Sequence, residues 1–543
     1  MANRCPACGG TLQFDVKSQK LICPYCGSSY LPSEIDNLQG AQETASSEIY
    51  GPDQTSPEEE VETQDTTVFT CRNCGGEITS ESVDAVSYCP YCGTFSTFTS
   101  RIEKMRKPEL ITPFLITKDV AEGYYRKRLK RQLFAPSDIK KRGQGTNFNP
   151  MFIPFWDYEV TYPFRNNYMT SESWREGNYD CTQEYYVGFD AEGGVKNCLY
   201  DASQELDDRI SESMADYDAR GLEPYNPSYM MGAYADMADV DPKTYSADAK
   251  DRADEPLTEA LKTEIIQSGA GTRFRHPKSL SFTGQTGTKA YVKPHLAMLP
   301  AWFMTYRTRD RVAYSVINAQ TGSVFAEVPV SIPKFLLFSL ILAVPLFLLF
   351  ELFLNARPAQ MLTAVGVITS IIMIMYAVSA SKEAAINNRV GDKGFGGPVK
   401  AKMPKPKKPA KTIGTIISSV VMIIIFVVFS FKGLLSNLSS LPIGQIVMVI
   451  IVMIAAIALV VGLVKADGKG SYIRDTIGGV ISMGLALVFT FYDPVDDNYF
   501  YLAAIIAMIG MILSIIGAVS RFNKRVSHPL PHFFDQRKGA TLR

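Results

Sequence analysis

CPACGGTLQFDVKSQKLICPYCG, residues 5–27, is the stretch that decides the reading, and it returns in altered form as CRNCGGEITSESVDAVSYCPYCG, residues 71–93. Each copy holds two CxxC pairs separated by fourteen residues. A CxxC turn aims two sulfurs at one point, and two such turns supply the four thiolates of a tetrahedral metal site. Cys5, Cys8, Cys23 and Cys26 are therefore one candidate ligand set, and Cys71, Cys74, Cys89 and Cys92 the other. The glycine after each pair (Gly9, Gly27, Gly75, Gly93) can take the positive φ of a knuckle turn. The residues between the pairs have the character of a strand hairpin. A four-sulfur site leaves no open position for substrate, so two structural Zn2+ ions are expected. Tetrahedral iron fits the same sulfur spacing.

No basic stretch followed by an apolar run precedes these motifs, so no cleavable export signal is expected and the N-terminal half is expected to stay in the cytoplasm. Paired cysteines in that setting favour metal over disulfides. Cys181 and Cys198 stand outside the quartets and are expected to be reduced and buried.

Working outward, the 543 residues are too many for one domain, and charge is concentrated before Lys334 while apolar residues dominate after it. Two small β zinc ribbons are expected at 1–30 and 68–100. Arg4, Lys17 and Lys20 face Asp15 in the first, and Arg72 faces Glu77, Glu81 and Asp84 in the second, so neither has the basic face that phosphates require. The segment 31–67 holds ten carboxylates and no Lys or Arg, the composition of a disordered acidic linker.

Residues 108–330 are expected to form an α+β domain. Thr117 can cap a helix through DVAEGYYRKRLKRQLF, with Tyr124, Leu129 and Leu133 as its apolar stripe. Residues 101–142 carry thirteen Lys/Arg against five Asp/Glu, a solvated helix face, a contact for anionic lipid headgroups or, least favoured, a contact for RNA or DNA. Residues 200–260 carry sixteen Asp/Glu against five Lys/Arg; SQELDDRISESMADYD within them suits an acidic helix that could pair with the basic one. Two segments, MFIPFWDYEVTY (151–162) and AMLPAWFMTYRT (297–308), each place P-x-W before an aromatic strand and suggest an internal duplication. After the second, RVAYSVINAQTGSVFAEV suits a hairpin turning at Gly322.

Six apolar stretches follow, at about 335–354, 360–380, 412–431, 444–464, 474–492 and 500–520. Each is near the ~20 residues needed to cross the hydrocarbon, which predicts an all-α six-helix membrane domain. The loop 381–411 holds nine Lys/Arg and the tail 521–543 is also basic, while the alternate loops are poor in positive charge, so both termini are expected in the cytoplasm of a multi-pass cell-membrane protein. The spans contain almost no ionisable groups, which argues against an ion-coupled transporter. Gly510 and Gly517 suit close helix packing within the chain. With four histidines and no phosphate-binding loop, nucleophile elbow or metal-hydrolase spacing, no enzyme is expected. GFGG at 394–397 lies in a Lys/Pro-rich loop and is expected to be linker.

The paired cysteines, then LITPFLITKDVAEGYYRKRLKRQLFAPSDI, FIPFWDYEV, LEPYNPSYMMGAYADMADVD and LPAWFMTYRTRDRVAYSVINAQTGSV, in this order, resemble a family of bacterial membrane proteins with a transcription factor IIB-type zinc ribbon. The doubled ribbon departs from the single one common there. The resemblance implies protein docking by the ribbons, and a link to phage-shock-type envelope-stress proteins and SPFH (flotillin-like) scaffolds. The expected function is that of a non-catalytic, membrane-anchored adaptor that recruits such a partner, with self-association left open. The alternatives are a transporter or channel component with a cytoplasmic sensor, and a membrane-tethered nucleic-acid regulator, nucleic acid being the less favoured partner.

Overall fold

The first cysteine quartet is built on a three-stranded sheet of β1 (Gln13–Asp15), β2 (Lys20–Ile22) and β3 (Ser29–Tyr30). The structure, a computed structural model, describes residues 4–35, 62–80, 86–137, 139, 148–267, 281–282, 290–308, 310–353, 358–389, 392–395, 443–466, 468–492 and 496–534. Most of the expected linker, 36–61, and the span expected at 412–431 lie outside these residues. Ile35, at the start of that linker, is buried against the first quartet.

A mixed β-sheet domain follows. Its strands are β4 (Thr63–Cys71), β5 (Glu77–Ser80), β6 (Val86–Tyr88), β7 (Phe95–Arg106), β8 (Leu110–Ile111), β9 (Asn149–Glu176), β10 (Tyr179–Asp201), β11 (Glu223–Pro224), β12 (Tyr234–Asp236), β13 (Ser281–Phe282), β14 (Tyr291–Thr308), β15 (Arg311–Asn318) and β16 (Val324–Ala326). A late strand, β17 (His528–Pro529), joins it from the far end of the sequence by pairing with β15. β4 pairs along its whole length with β7, so the second quartet grows from the rim of this sheet.

The two P-x-W segments lie side by side at the centre of the sheet, antiparallel, with Pro154 opposite Met298 and Phe152 opposite Pro300. The pair Ile153–Leu299 sits midway, so each motif holds the same place relative to the other. Their surroundings match as well. β12 runs parallel to β9 at Met151–Phe152, and β8 runs parallel to β14 at Ala297–Met298. The Pro154 and Pro300 carbonyls each accept an N–H, from Ala202 and Ala319. The indole N–H of Trp156 donates to the Val240 carbonyl and that of Trp302 to the Ile116 carbonyl, at 3.0 and 2.8 Å.

Both faces of these strands are covered, which is why their sequences read as nearly unbroken apolar runs. Met151, Ile153 and Phe155 face the core that contains the second quartet. Phe152 faces Tyr125 and Leu129 of α1 (Lys118–Lys130). Trp156, Tyr158 and Val160 pack on Ala249, Ala253 and Leu257 of α3 (Ser246–Gln267). Each such side chain contributes about 1.5–3 kcal/mol when fully buried.

Several local expectations shift. α1 ends at Lys130 and buries Ala121, Glu122, Tyr125 and Leu129, while Tyr124 and Leu133 are exposed. Thr117 is extended as a cap residue should be, but its side chain makes no cap bond. The acidic stretch forms only a short helix, α2 (Asp208–Glu212), begun by Asp207 accepting from the Arg209 N–H. Arg126 of the basic helix reaches Glu122 of its own helix, while the Lys393 backbone N–H donates to Asp208 and the Lys393 ammonium pairs with Asp248 of α3. Cys198 is buried, with burial pushing its thiol up, and Cys181 is half-exposed at the other end of β10.

Beyond the sheet lie α4 (Ile332–Phe353), α5 (Pro358–Asn387), α6 (Ile443–Lys465), α7 (Lys469–Tyr492) and α8 (Asp497–Arg525). Four of them, α5 to α8, are long and apolar enough to cross a membrane; α4 is apolar from Ile332 to Pro345. Gly366 of α5 meets Met448 of α6, and Gly462 of α6 meets Ala377 of α5, so these two helices run in the same direction. α7 and α8 are antiparallel: Gly510 packs on the Gly478 backbone and Gly517 on the Asp475 carbonyl. At Gly510 a side chain would collide with the Gly478 backbone, and at Gly517 it would crowd the Asp475 carbonyl.

The helices and the sheet domain are joined at one end. The Val330 N–H donates to Asn523 Oδ1 at 2.7 Å, and Arg311 donates to the carbonyls of Lys524 and Ser527. α5 continues to Asn387, further than the apolar run alone suggested. The residues after it are no free linker: Arg389 donates to the Gln204 and Leu206 carbonyls, and the Gly394 N–H donates to Tyr245 Oη.

Candidate metal centres

The knuckle turns bring the four sulfurs of each quartet together, all within 4.8 Å of one another. Cys5 and Cys26 sulfurs are 3.6 Å apart and those of Cys8 and Cys23 3.4 Å. In the second quartet Cys71–Cys92 and Cys74–Cys89 are 4.0 and 3.7 Å apart. Four bonds of ~2.3 Å in a tetrahedron set sulfur–sulfur distances of about 3.8 Å, so both sets fit a zinc ion. The chemistry of the thiols agrees. Hydrogen bonds from Cys74 and Cys89 pull the Cys71 thiol down to about 6, while burial pushes Cys89 up. A divalent ion resolves that conflict by taking every sulfur as thiolate.

The knuckles explain their glycines. Gly9, Gly27, Gly75 and Gly93 have φ between 65° and 79°, the left-handed region that other residues enter at a cost. The preceding carbonyls are satisfied locally, the Gly9 N–H donating to Cys5 and the Gly75 N–H to Cys71, both at 2.8 Å.

In their surroundings the quartets differ. All four cysteines of the second are buried, packed in one core with Phe155, Phe303 and Tyr314. Tyr91, from its second CxxC pair, is 1 % exposed and donates to Asp236. The Tyr314 hydroxyl donates to the Tyr91 carbonyl at 2.8 Å, and Thr305 to the Pro90 carbonyl. The tail after α8 completes the enclosure: the Phe533 N–H donates to the Cys74 carbonyl at 2.8 Å. The first quartet sits at the periphery. It is tied down on one side, where the Phe14 N–H donates to the Met231 carbonyl and Gln19 to the Phe114 carbonyl. Its Cys8 and Cys26 are exposed.

Residues 4–31, which hold the first quartet, match the family model described as Trm112p-like protein. The chain is also similar to the uncharacterised protein YdjG of Bacillus subtilis (strain 168), at 24 % identity over 335 residues covering 60 % of this chain and 90 % of that protein. No solved structure matches the chain. Two cysteine clusters suited to zinc, a mixed β-sheet domain and long apolar helices thus define a multi-pass membrane protein with metal-binding modules.

One polar site escaped the sequence reading. Arg521, counted there with the basic tail, is 1 % exposed inside the helical bundle. Its guanidinium meets Glu383 at 2.7 Å, the Tyr376 hydroxyl at 2.8 Å and Asp475 at 3.5 Å, with the Tyr376 ring 5.3 Å away. Arg521 and Glu383 both lie just past apolar runs, where a charge reads as a flanking residue. Only the lengths of α5 and α8, each extending beyond its apolar run, carry the two inside.

Proposed function

We propose that this protein is a non-catalytic adaptor anchored in the cell membrane, and that its first quartet is the module that docks a protein partner. The observation that carries this reading is the contrast between the quartets: one is sealed into a core and the other shows its knuckles to solvent. A closed four-cysteine zinc site has no position for substrate, so its use is to hold a recognition surface in shape. An SPFH-type scaffold or phage-shock-type protein is the partner class, consistent with the family resemblance. The matching surroundings of the two P-x-W strands support an internal duplication in the β-sheet domain. Purification of the intact protein from native membranes is expected to recover a partner, and Cys5→Ser with Cys8→Ser is expected to lose it while the second metal ion stays bound. Undiminished recovery from that variant would remove the adaptor role.

We read the chain as crossing the membrane six times with both termini in the cytoplasm. Support comes from α5 and α6, which are consecutive among the described helices yet run the same way. A chain leaving α5 beside the sheet domain and entering α6 at the far end has to cross between them, and 412–431 supplies the length. A cysteine placed at Ser439 is therefore expected to react with an impermeant thiol reagent added outside intact cells; labelling only after lysis would refute the topology. The exposed basic residues of α1 fit an anionic headgroup contact, since Phe134, beyond the helix end, packs on Phe335 and Phe338 of α4.

Transport is the second reading, and the buried Arg521–Glu383 pair is the observation in its favour, because ionisable groups inside a bundle commonly mark a pathway.

A further inference from the structure

The two quartets share their internal hydrogen bonds. The Cys5 N–H donates to Gly10 and the Cys71 N–H to Gly76, at 2.7 and 2.8 Å; the Cys23 N–H donates to Ser28 and the Cys89 N–H to Thr94, at 2.9 and 3.0 Å. Tyr25 covers Gly10 as Tyr91 covers Gly76, so closely that neither glycine has room for a Cβ. Besides lying deeper in the core, the second surface is occupied by a peptide. Phe533 donates its N–H to the Cys74 carbonyl and sets its ring edge-on to Tyr91 at 5.5 Å between centroids. Phe534 lies directly on Gly75. At the first quartet the corresponding place is open. Among the described residues nothing lies within 4 Å of a Cβ built on Gly9, and Tyr25 is 76 % exposed where Tyr91 is 1 %.

We infer that the first quartet binds an extended peptide with two adjacent aromatic residues, in the way the second quartet holds Phe533 and Phe534 of this chain. The Cys8 carbonyl accepts the peptide N–H, the Tyr25 ring takes the first aromatic edge-on, and the second lies on Gly9, where the missing side chain leaves a flat seat. Edge-to-face aromatic pairs add ~0.5–1.5 kcal/mol beyond the area they bury, which favours an aromatic ligand over an aliphatic one. The chain's own tail is already seated on the second quartet and pinned there by β17, so the ligand belongs to another protein. This names the partner chemistry of the docking module proposed above and rests on that reading.

The probe is a labelled synthetic peptide, LPHFFDQR, copied from residues 530–537, titrated against the full-length protein in nanodiscs with both metal ions bound. We expect saturable binding of one peptide per chain, at least tenfold weaker when both phenylalanines are alanine. Tyr25→Ala is expected to weaken it at least tenfold with metal content unchanged, and Tyr25→Phe to retain it. Absence of saturable binding overturns the inference, and so does binding indifferent to Tyr25→Ala, which would mean exchange with the tail at the second quartet. A partner captured through Cys5 and Cys8 with no affinity for the peptide sinks this inference alone. Peptide bound with no partner captured sinks the adaptor reading alone.

Discussion

Replacing Cys71 and Cys74 by serine is expected to unfold the β-sheet domain, whereas the same change at Cys5 and Cys8 is expected to leave it folded. Structural zinc binding is worth an apparent ~10–16 kcal/mol in small zinc modules, and a domain's whole stability is about 5–15 kcal/mol. The second quartet spends that energy inside the main core, among Phe155, Phe303 and Tyr314. Without the ion, its buried thiols face each other across a loosened knuckle, and Tyr91 loses the backbone that aims it at Asp236. The first quartet packs at the periphery, on its own hairpin, Ile35 and Met231, so its loss is local. Fluorescence of the buried Trp156 and Trp302, with limited proteolysis, reads the difference. A Cys71→Ser, Cys74→Ser protein that melts like the parent would show that the core does not depend on the ion.

The second large effect is expected at Arg521. Removing one partner of a buried ion pair costs about 3–5 kcal/mol, because the other charge is left stranded. Arg521→Ala strands Glu383, itself 4 % exposed, and removes the donor to Tyr376. Thermal unfolding in detergent is expected to fall by several degrees, and Arg521→Leu combined with Glu383→Leu to recover most of the loss, since apolar replacement of a whole buried pair is often neutral. A double variant as unstable as the single one would contradict the picture of a self-contained clamp. A double variant that regains stability would weaken the transport reading only if its function is also intact.

Much of this was legible from the chain. The cysteine spacing gave both sulfur clusters, because a CxxC turn fixes its geometry within four residues. The apolar runs marked the helical region, because composition alone selects such helices. Other features depend on contacts between distant parts and leave no local trace. Tyr25 and Tyr91 occupy equivalent places in nearly identical motifs, yet one is exposed and the other is sealed by distant residues, Asp236, Tyr314 and Phe533. Leu133 looked like part of an apolar stripe, but the helix stops at Lys130 and leaves it outside. Gly394 resembled linker because nothing in GFGG announces that Tyr245 waits to receive its N–H.

The pairing of β17 with β15, and of Phe533 with Cys74, also dictates an order of events in biosynthesis. The ribosome makes the sheet's amino-terminal strands first, but the piece that caps them emerges only after the five described apolar helices. Contacts of such sequence separation form late. A nascent polypeptide stalled before Val526 would therefore carry an uncapped cysteine module with its aromatic seat empty, much as the first module stands in the finished molecule.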